Sequence, residues 1–106
     1  ASINDYIFLA SLGKEFIGFV RFDFNEIKNN FIISISLHQK FRGRGLASRL
    51  IDLGLEKINL LASEYNEIQA FVLETNKPSS KAFLKSGFTL NRYQIINDRK
   101  FNIYTC

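Results

Sequence analysis

In 106 residues the sequence has one cysteine, one histidine and one proline, and neither methionine nor tryptophan. A lone cysteine, Cys106, excludes a disulfide framework, and no Cys/His cluster has zinc-ligand spacing, so no metal is expected. That cysteine use fits a reducing, cytoplasmic setting. Cys106 is also the last residue, and a chain end seldom holds the His and orienting partner that a nucleophilic thiol needs. No apolar run approaches the ~20 residues of a membrane span, and no secretory leader pattern is present. The start at Ala1, with no methionine anywhere, suggests a trimmed or excised segment. A strong excess of one charge is missing too: 14 Lys plus Arg face 10 Asp plus Glu, a formal +4.

What is present builds a core. Apolar residues make up 46% of the chain, with 11 Phe and 4 Tyr, too apolar a composition for a disordered segment. At this length folding buries roughly 60 to 70% of the unfolded chain's surface, which suits one domain over residues 1–106. Tyr6 to Leu12 is rich in strand formers, and Gly13-Lys14-Glu15 interrupts it as a turn. From Phe16 to Phe24 apolar positions recur with a period of two, as they do again from Phe31 to Leu37 after the polar turn Asn25 to Asn30. Three antiparallel strands in a meander are expected.

The period then changes. Leu46, Leu50, Leu53 and Lys57 share one helical row, with Ala47, Ile51, Gly54, Ile58 and Leu61 on adjoining rows, so a helix is expected from about Gly43 to Ala62 with a broad face against a sheet. Ile68 to Leu73 suits a buried strand. A shorter helix is expected from Pro78 to Ser86, capped by Asn76 and closed by Gly87. Thr89 to Ile96 and Lys100 to Tyr104 flank the turn Asn97-Asp98-Arg99. The order is βββαβαββ, an α/β (α+β) fold in which an antiparallel meander leads into a parallel βαβ crossover of right-handed sense.

The stretch Leu37 to Ser48 lies between a strand end and a helix start, where free N–H groups and the helix dipole favour an anion. Triphosphate-binding loops require Gly-Lys-Ser/Thr after four intervening residues, which is absent. A dinucleotide fingerprint requires a third glycine or alanine where Ser48 stands, after the first strand of a βαβ unit. The cations Lys40, Arg42, Arg44 and Arg49 suit phosphates of a coenzyme or of a nucleic acid. A net +4 without a basic stripe elsewhere disfavours nucleic acid.

Arg42-Gly43-Arg44-Gly45-Leu46-Ala47 fits the pattern Gln/Arg-x-x-Gly-x-Gly/Ala, and here the chain resembles the GNAT superfamily of acyl-CoA-dependent N-acyltransferases. A second block, Asn76 to Phe88, looks like that family's later motif: an Asn, a short helix and a Lys-x-Gly-Phe ending. The resemblance covers about Phe16 to Phe88. It implies a mixed sheet whose third and fourth strands splay after Leu37 and Leu73 at the coenzyme site. Acetyl-CoA as acyl donor is then held by Leu37, Gln39, Arg42, Gly43, Arg44, Gly45, Leu46, Ala47, Ser48, Asn76, Ser79 and Phe83. It also implies that the Leu37 backbone N–H polarises the thioester and that a primary amine of a small molecule attacks directly.

Two positions depart from the family pattern. Many members carry a proton-donating Tyr where this chain has Phe83, and others a basic Glu where it has Ile32. Glu74 and His38 are the substitute candidates for catalytic proton transfer. For the acceptor, the strand sequences look like those of domains that modify amino sugars, including nucleotide-linked ones; a protein or peptide amine competes. A non-catalytic coenzyme-binding or interaction domain also stays open, and a homodimer is compatible with the resemblance. Family domains usually begin with a further strand and helices on the acceptor side, so the chain is expected to lack that N-terminal part.

Overall fold

The computed structural model describes residues 5–62 and 64–106. Six strands and two helices follow in the order β1 (Tyr6–Leu12), β2 (Glu15–Asn25), β3 (Asn30–Leu37), α1 (Leu46–Leu61), β4 (Ile68–Leu73), α2 (Lys77–Lys85), β5 (Thr89–Ile96) and β6 (Arg99–Thr105). The sheet order is β1-β2-β3-β4-β6-β5, with β3 and β4 parallel and every other neighbouring pair antiparallel. The mixed sheet and its central crossover are those the periodicities predict.

Both helices pack on one face of the sheet. The period of two in β2 and β3 turns Val20, Phe22, Phe31 and Ile33 toward that face, where they meet Leu50, Ile51 and Ile58 of α1 and Phe83 of α2. Phe22 and Phe31 stack edge to face with centroids 6.0 Å apart. Helix α1 rides close on β2 because position 54 is glycine: a Cβ there would come within 2.8 Å of Val20 Cγ1. On the opposite face of β1, Ile7 and Leu9 are 57% and 71% exposed. Among the described residues no helix is long and apolar enough to cross a membrane.

Local chemistry sets the element ends. At the end of α2, the Gly87 N–H donates to the Leu84 carbonyl and the Phe88 N–H to that of Phe83. With Gly87 at φ 95° and the Phe83 and Phe88 rings in contact, this is a Schellman closure. The Asn97-Asp98 turn holds both residues at positive φ, the twist that a two-residue hairpin requires. Cys106 is not frayed: its N–H and C=O exchange hydrogen bonds with Ile68 at 3.0 and 3.1 Å.

Three expectations are corrected. Helix α1 begins at Leu46, not near Gly43, because Gly43 and Gly45 both take left-handed φ (75° and 72°), which a right-handed helix cannot contain. Its packed face is also narrower than the apolar pattern: Leu53 is 56% exposed and Leu60 77%. Finally, β3 and β4 part well before Leu37 and Leu73. Only Phe31↔Ile68 and Ile32↔Gln69 are in register. Both strands are drawn away by antiparallel partners, β2 and β6, that hold their full length.

Candidate functional site

The early parting of β3 and β4 opens a cleft through the sheet, about 250 Å3 in volume. Its walls are Ile33, Ser34 and Ile35 of β3, Phe71 to Leu73 of β4, Phe101 of β6, and Asn76, Ser79 and Phe83 around α2. Backbone alternation fixes what the strands present there. On β3, Phe31 donates its N–H to Glu67 on the β4 side, whereas just beyond the strand end His38 donates to Ile17 of β2. The register with β2 is unbroken, so the backbone N–H groups of odd-numbered residues face the β4 side: that of Ile35 at the cleft wall, and that of Leu37 just beyond it. On β4, Ile68 and Glu74 bond toward β6, which leaves Phe71 and Leu73 facing the cleft from the other wall. The Leu73 carbonyl is already taken by the Asn76 N–H at 2.8 Å.

Between β3 and α1 the chain makes a single 3-10 turn, Gln39–Phe41, pinned by the buried Phe41 ring. His38 caps that turn: its Nδ1 accepts the Lys40 N–H at 3.2 Å, so only Nε2 is free for other work. The Gln39 carbonyl accepts the Arg42 N–H. Gly43 and Gly45 then form the approach to α1, and an added Cβ at either would meet no atom within 4 Å. Their open, left-handed backbone leaves a cradle beside the free N–H groups of the first turn of α1. That cradle fits an anionic group such as a phosphate.

The cations of the loop are engaged within the protein. Lys40 Nζ lies 2.7 Å from Glu15 Oε2, and Arg42 Nε donates to the Leu37 carbonyl at 3.1 Å. The Arg44 guanidinium lies 5.5 Å from the Phe41 centroid. Lys40 holds the Glu15 carboxyl below the usual carboxylate range, through its hydrogen bond first and its charge second.

The predicted site residues divide into groups. Asn76, Ser79 and Phe83 line the cleft, with Asn76 Oδ1 accepting the Ser79 N–H at 3.3 Å as helix cap. Leu46 and Ala47 are half-buried at the start of α1, and Arg42, Gly43, Arg44 and Gly45 are exposed. Ser48 does not present its hydroxyl: it is buried, and its Oγ turns back to the Gly45 carbonyl at 3.5 Å. Glu74 is tied to Lys100 twice, through an ion pair of 3.0 Å and through its N–H on the Lys100 carbonyl. The sequence reading missed Phe71, Phe101 and Ser34 as cleft walls, and Gly18 as a contact point for β3. A Cβ on Gly18 would lie 2.1 Å from the Ser36 oxygen. Glycine on the apolar face of a strand, between Phe16 and Val20, was the available signal for such close approach.

A backbone opening suited to an anion thus lies close in sequence to the end of a strand that has parted from its neighbour. Residues 2–88 match the acetyltransferase (GNAT) family, and the chain belongs to it. Among curated proteins, it is 29% identical over 98 residues to a mycothiol acetyltransferase of Corynebacterium glutamicum, covering 91% of this chain and 32% of that protein. The chain therefore spans about a third of that relative's length. The fold overlays a spermidine N-acetyltransferase chimera of Vibrio cholerae with a TM-score of 0.82 at 19% identity, over 95% of this chain and 65% of the other. It also overlays the microcin C7 self-immunity acetyltransferase, solved with acetyl-CoA and AMP, with a TM-score of 0.80 at 21% identity, over 97% and 61%.

Proposed function

We propose that this chain supplies the donor side of an N-acetyltransferase, which moves an acetyl group from acetyl-CoA to a primary amine of a small molecule. The observation that carries this reading is the Leu37 N–H, turned to the β4 side on a strand whose partner has parted, one short turn before the Gly43–Gly45 cradle. The cradle takes the pyrophosphate on backbone N–H groups. The Leu37 N–H donates to the thioester oxygen and strengthens as negative charge grows there, a contribution on the order of 10² to 10³ in rate for one such donor. The amine nitrogen attacks the carbonyl carbon, the C–S bond breaks, and the proton lost by nitrogen reaches the departing thiolate.

Phe83 cannot deliver that proton, and Glu74 and His38 both hold structural partners. On this reading the chain acts by positioning and by backbone polarisation, with the amine attacking in its neutral form. The acceptor to be tried first is an amino sugar, free and nucleotide-linked, followed by spermidine and a peptide amine. The rest of the acceptor pocket is proposed to come from outside residues 5–106, in keeping with the exposed Ile7 and Leu9 and with the share of its relatives that this chain spans.

Thermal melting tests the donor assignment. Acetyl-CoA at 100 times its dissociation constant adds about 2.7 kcal/mol, a rise on the order of 10 °C for a domain of this size. No rise at millimolar acetyl-CoA refutes it. Thiol release with the acceptor panel then tests transfer. A second reading, a coenzyme-binding domain without turnover, is favoured by the missing hydroxyl at Phe83; binding without thiol release from the acceptor panel, also when the chain is joined to a segment that completes the acceptor pocket, supports it.

A further inference from the structure

Residues that the loop pattern assigns to the coenzyme have a second geometry. Arg42 is exposed, yet its Nε is bonded to the Leu37 carbonyl, the last acceptor on the cleft side of β3. The same residue's N–H closes the 3-10 turn on the Gln39 carbonyl. Arg42 therefore grips the loop with its backbone and the strand end with its side chain. The same peptide group is fixed from the other side, where the His38 N–H donates to Ile17 at 2.7 Å.

We propose that Arg42 is a positioning residue that clamps the end of β3 to the start of the anion loop. The clamp sets the separation between the Leu37 N–H and the N–H groups of the Gly43–Gly45 cradle. Acetyl-CoA spans both places, its pyrophosphate in one and its thioester at the other, so a strand end free to sway loses polarisation of the carbonyl before it loses the coenzyme. A guanidinium suits the task, because Nε binds the carbonyl while the planar fork keeps its plane. The inference rests on the proposed donor site and concerns how that site is held.

The test compares wild type with Arg42→Met and Arg42→Lys, using acetyl-CoA labelled with 13C at the carbonyl. Two quantities are read: affinity by titration calorimetry at two salt concentrations, and the displacement of the carbonyl resonance on binding, which reports polarisation without any acceptor. The expected result is affinity within about threefold of wild type and an unchanged salt dependence in Arg42→Met, with at least half of the downfield displacement lost. Arg42→Lys, which keeps a donor able to reach the Leu37 carbonyl, retains most of it. A tenfold or greater loss of affinity with a shallower salt dependence and an unmoved resonance makes Arg42 a phosphate ligand and overturns the proposal. So does a variant identical to wild type in both quantities. Arg42→Leu, which likewise lacks a donor, replaces Arg42→Met in the same two measurements if the latter fails to fold. A wild-type protein that does not bind acetyl-CoA refutes the donor site itself, an outcome distinct from the other two.

Discussion

Gly18→Ala is the sharpest perturbation of the site that leaves the cleft chemically untouched. Gly18 pairs with Leu37 at the end of the β2–β3 ladder, and its φ is not in the left-handed region, so alanine meets no backbone barrier of its own. The obstacle is space. The new Cβ would stand 2.1 Å from the Ser36 oxygen and 3.0 Å from Leu37 Cα, both backbone atoms that cannot rotate away. The strands have to open by roughly 1 Å, and overpacking of this kind costs about 1 to 3 kcal/mol. Alanine restricts the unfolded chain and returns about 0.4 to 1 kcal/mol. A net loss of about 0.5 to 2 kcal/mol follows, or several degrees in Tm. The larger effect is on rate, because the Ser36 carbonyl and the Leu37 N–H belong to one peptide group. Pushing the oxygen tilts the N–H away from the thioester, and a misplacement of about 1 Å costs on the order of 10² in turnover. Differential scanning fluorimetry and thiol-release kinetics at saturating acetyl-CoA measure the two effects. Gly54→Ala is the control, since its clash at 2.8 Å is with the Val20 side chain, whose ladder partner is Ile35, and not with the Leu37 backbone. A Gly18→Ala protein with wild-type Tm and turnover would show that the Leu37 peptide does not govern the reaction.

Three further outcomes are expected. Leu37→Pro deletes an N–H that belongs to no strand ladder, so urea denaturation shows only a modest loss, while turnover falls on the order of 10² to 10³ and coenzyme affinity holds. Phe22→Ala removes a fully buried ring that touches Phe31 and Phe8; it costs about 3 to 5 kcal/mol in the same denaturation assay, whether or not acetyl-CoA is bound. The Lys40–Glu15 pair gives an acid limb: with the Glu15 pKa lowered on folding, its contribution is present above the unfolded value near 4.5 and is lost as pH falls through the folded one. Glu15→Gln, followed by melting between pH 6 and 3, should flatten that limb slightly, the pair being exposed.

Much of the fold was legible because its signals are local. The period of two in Phe16–Phe24 and Phe31–Leu37 marks strands wherever they pack; Asn76 and Gly87 act through hydrogen bonds within a few residues of themselves, and Pro78 through its fixed φ at the helix start. Of the candidate site, the loop backbone was legible: Gly43 and Gly45 announced a special backbone, although their left-handed φ, which delays α1 to Leu46, was the part of the signal left unread. What failed depends on tertiary packing. Helical spacing says that Leu53 and Leu60 are apolar, not which row meets the sheet. The place where β3 and β4 part is decided by the pull of β2 and β6, and the partners of Lys40, Arg42 and Glu74 lie on other elements or across a turn.

The two ladder positions joining β3 to β4 also divide the sheet into halves, β1–β3 under α1 and β4–β6 under α2, and the two helices touch across the divide. Amides at Ile35, Leu37, Phe71 and Leu73 sit midway across a six-stranded sheet yet lack a strand partner, so their hydrogens exchange with solvent as edge amides do. A substrate arm lying between them would supply the missing rungs. On the proposed donor reading, binding then adds rungs at the middle of the sheet rather than at its edge.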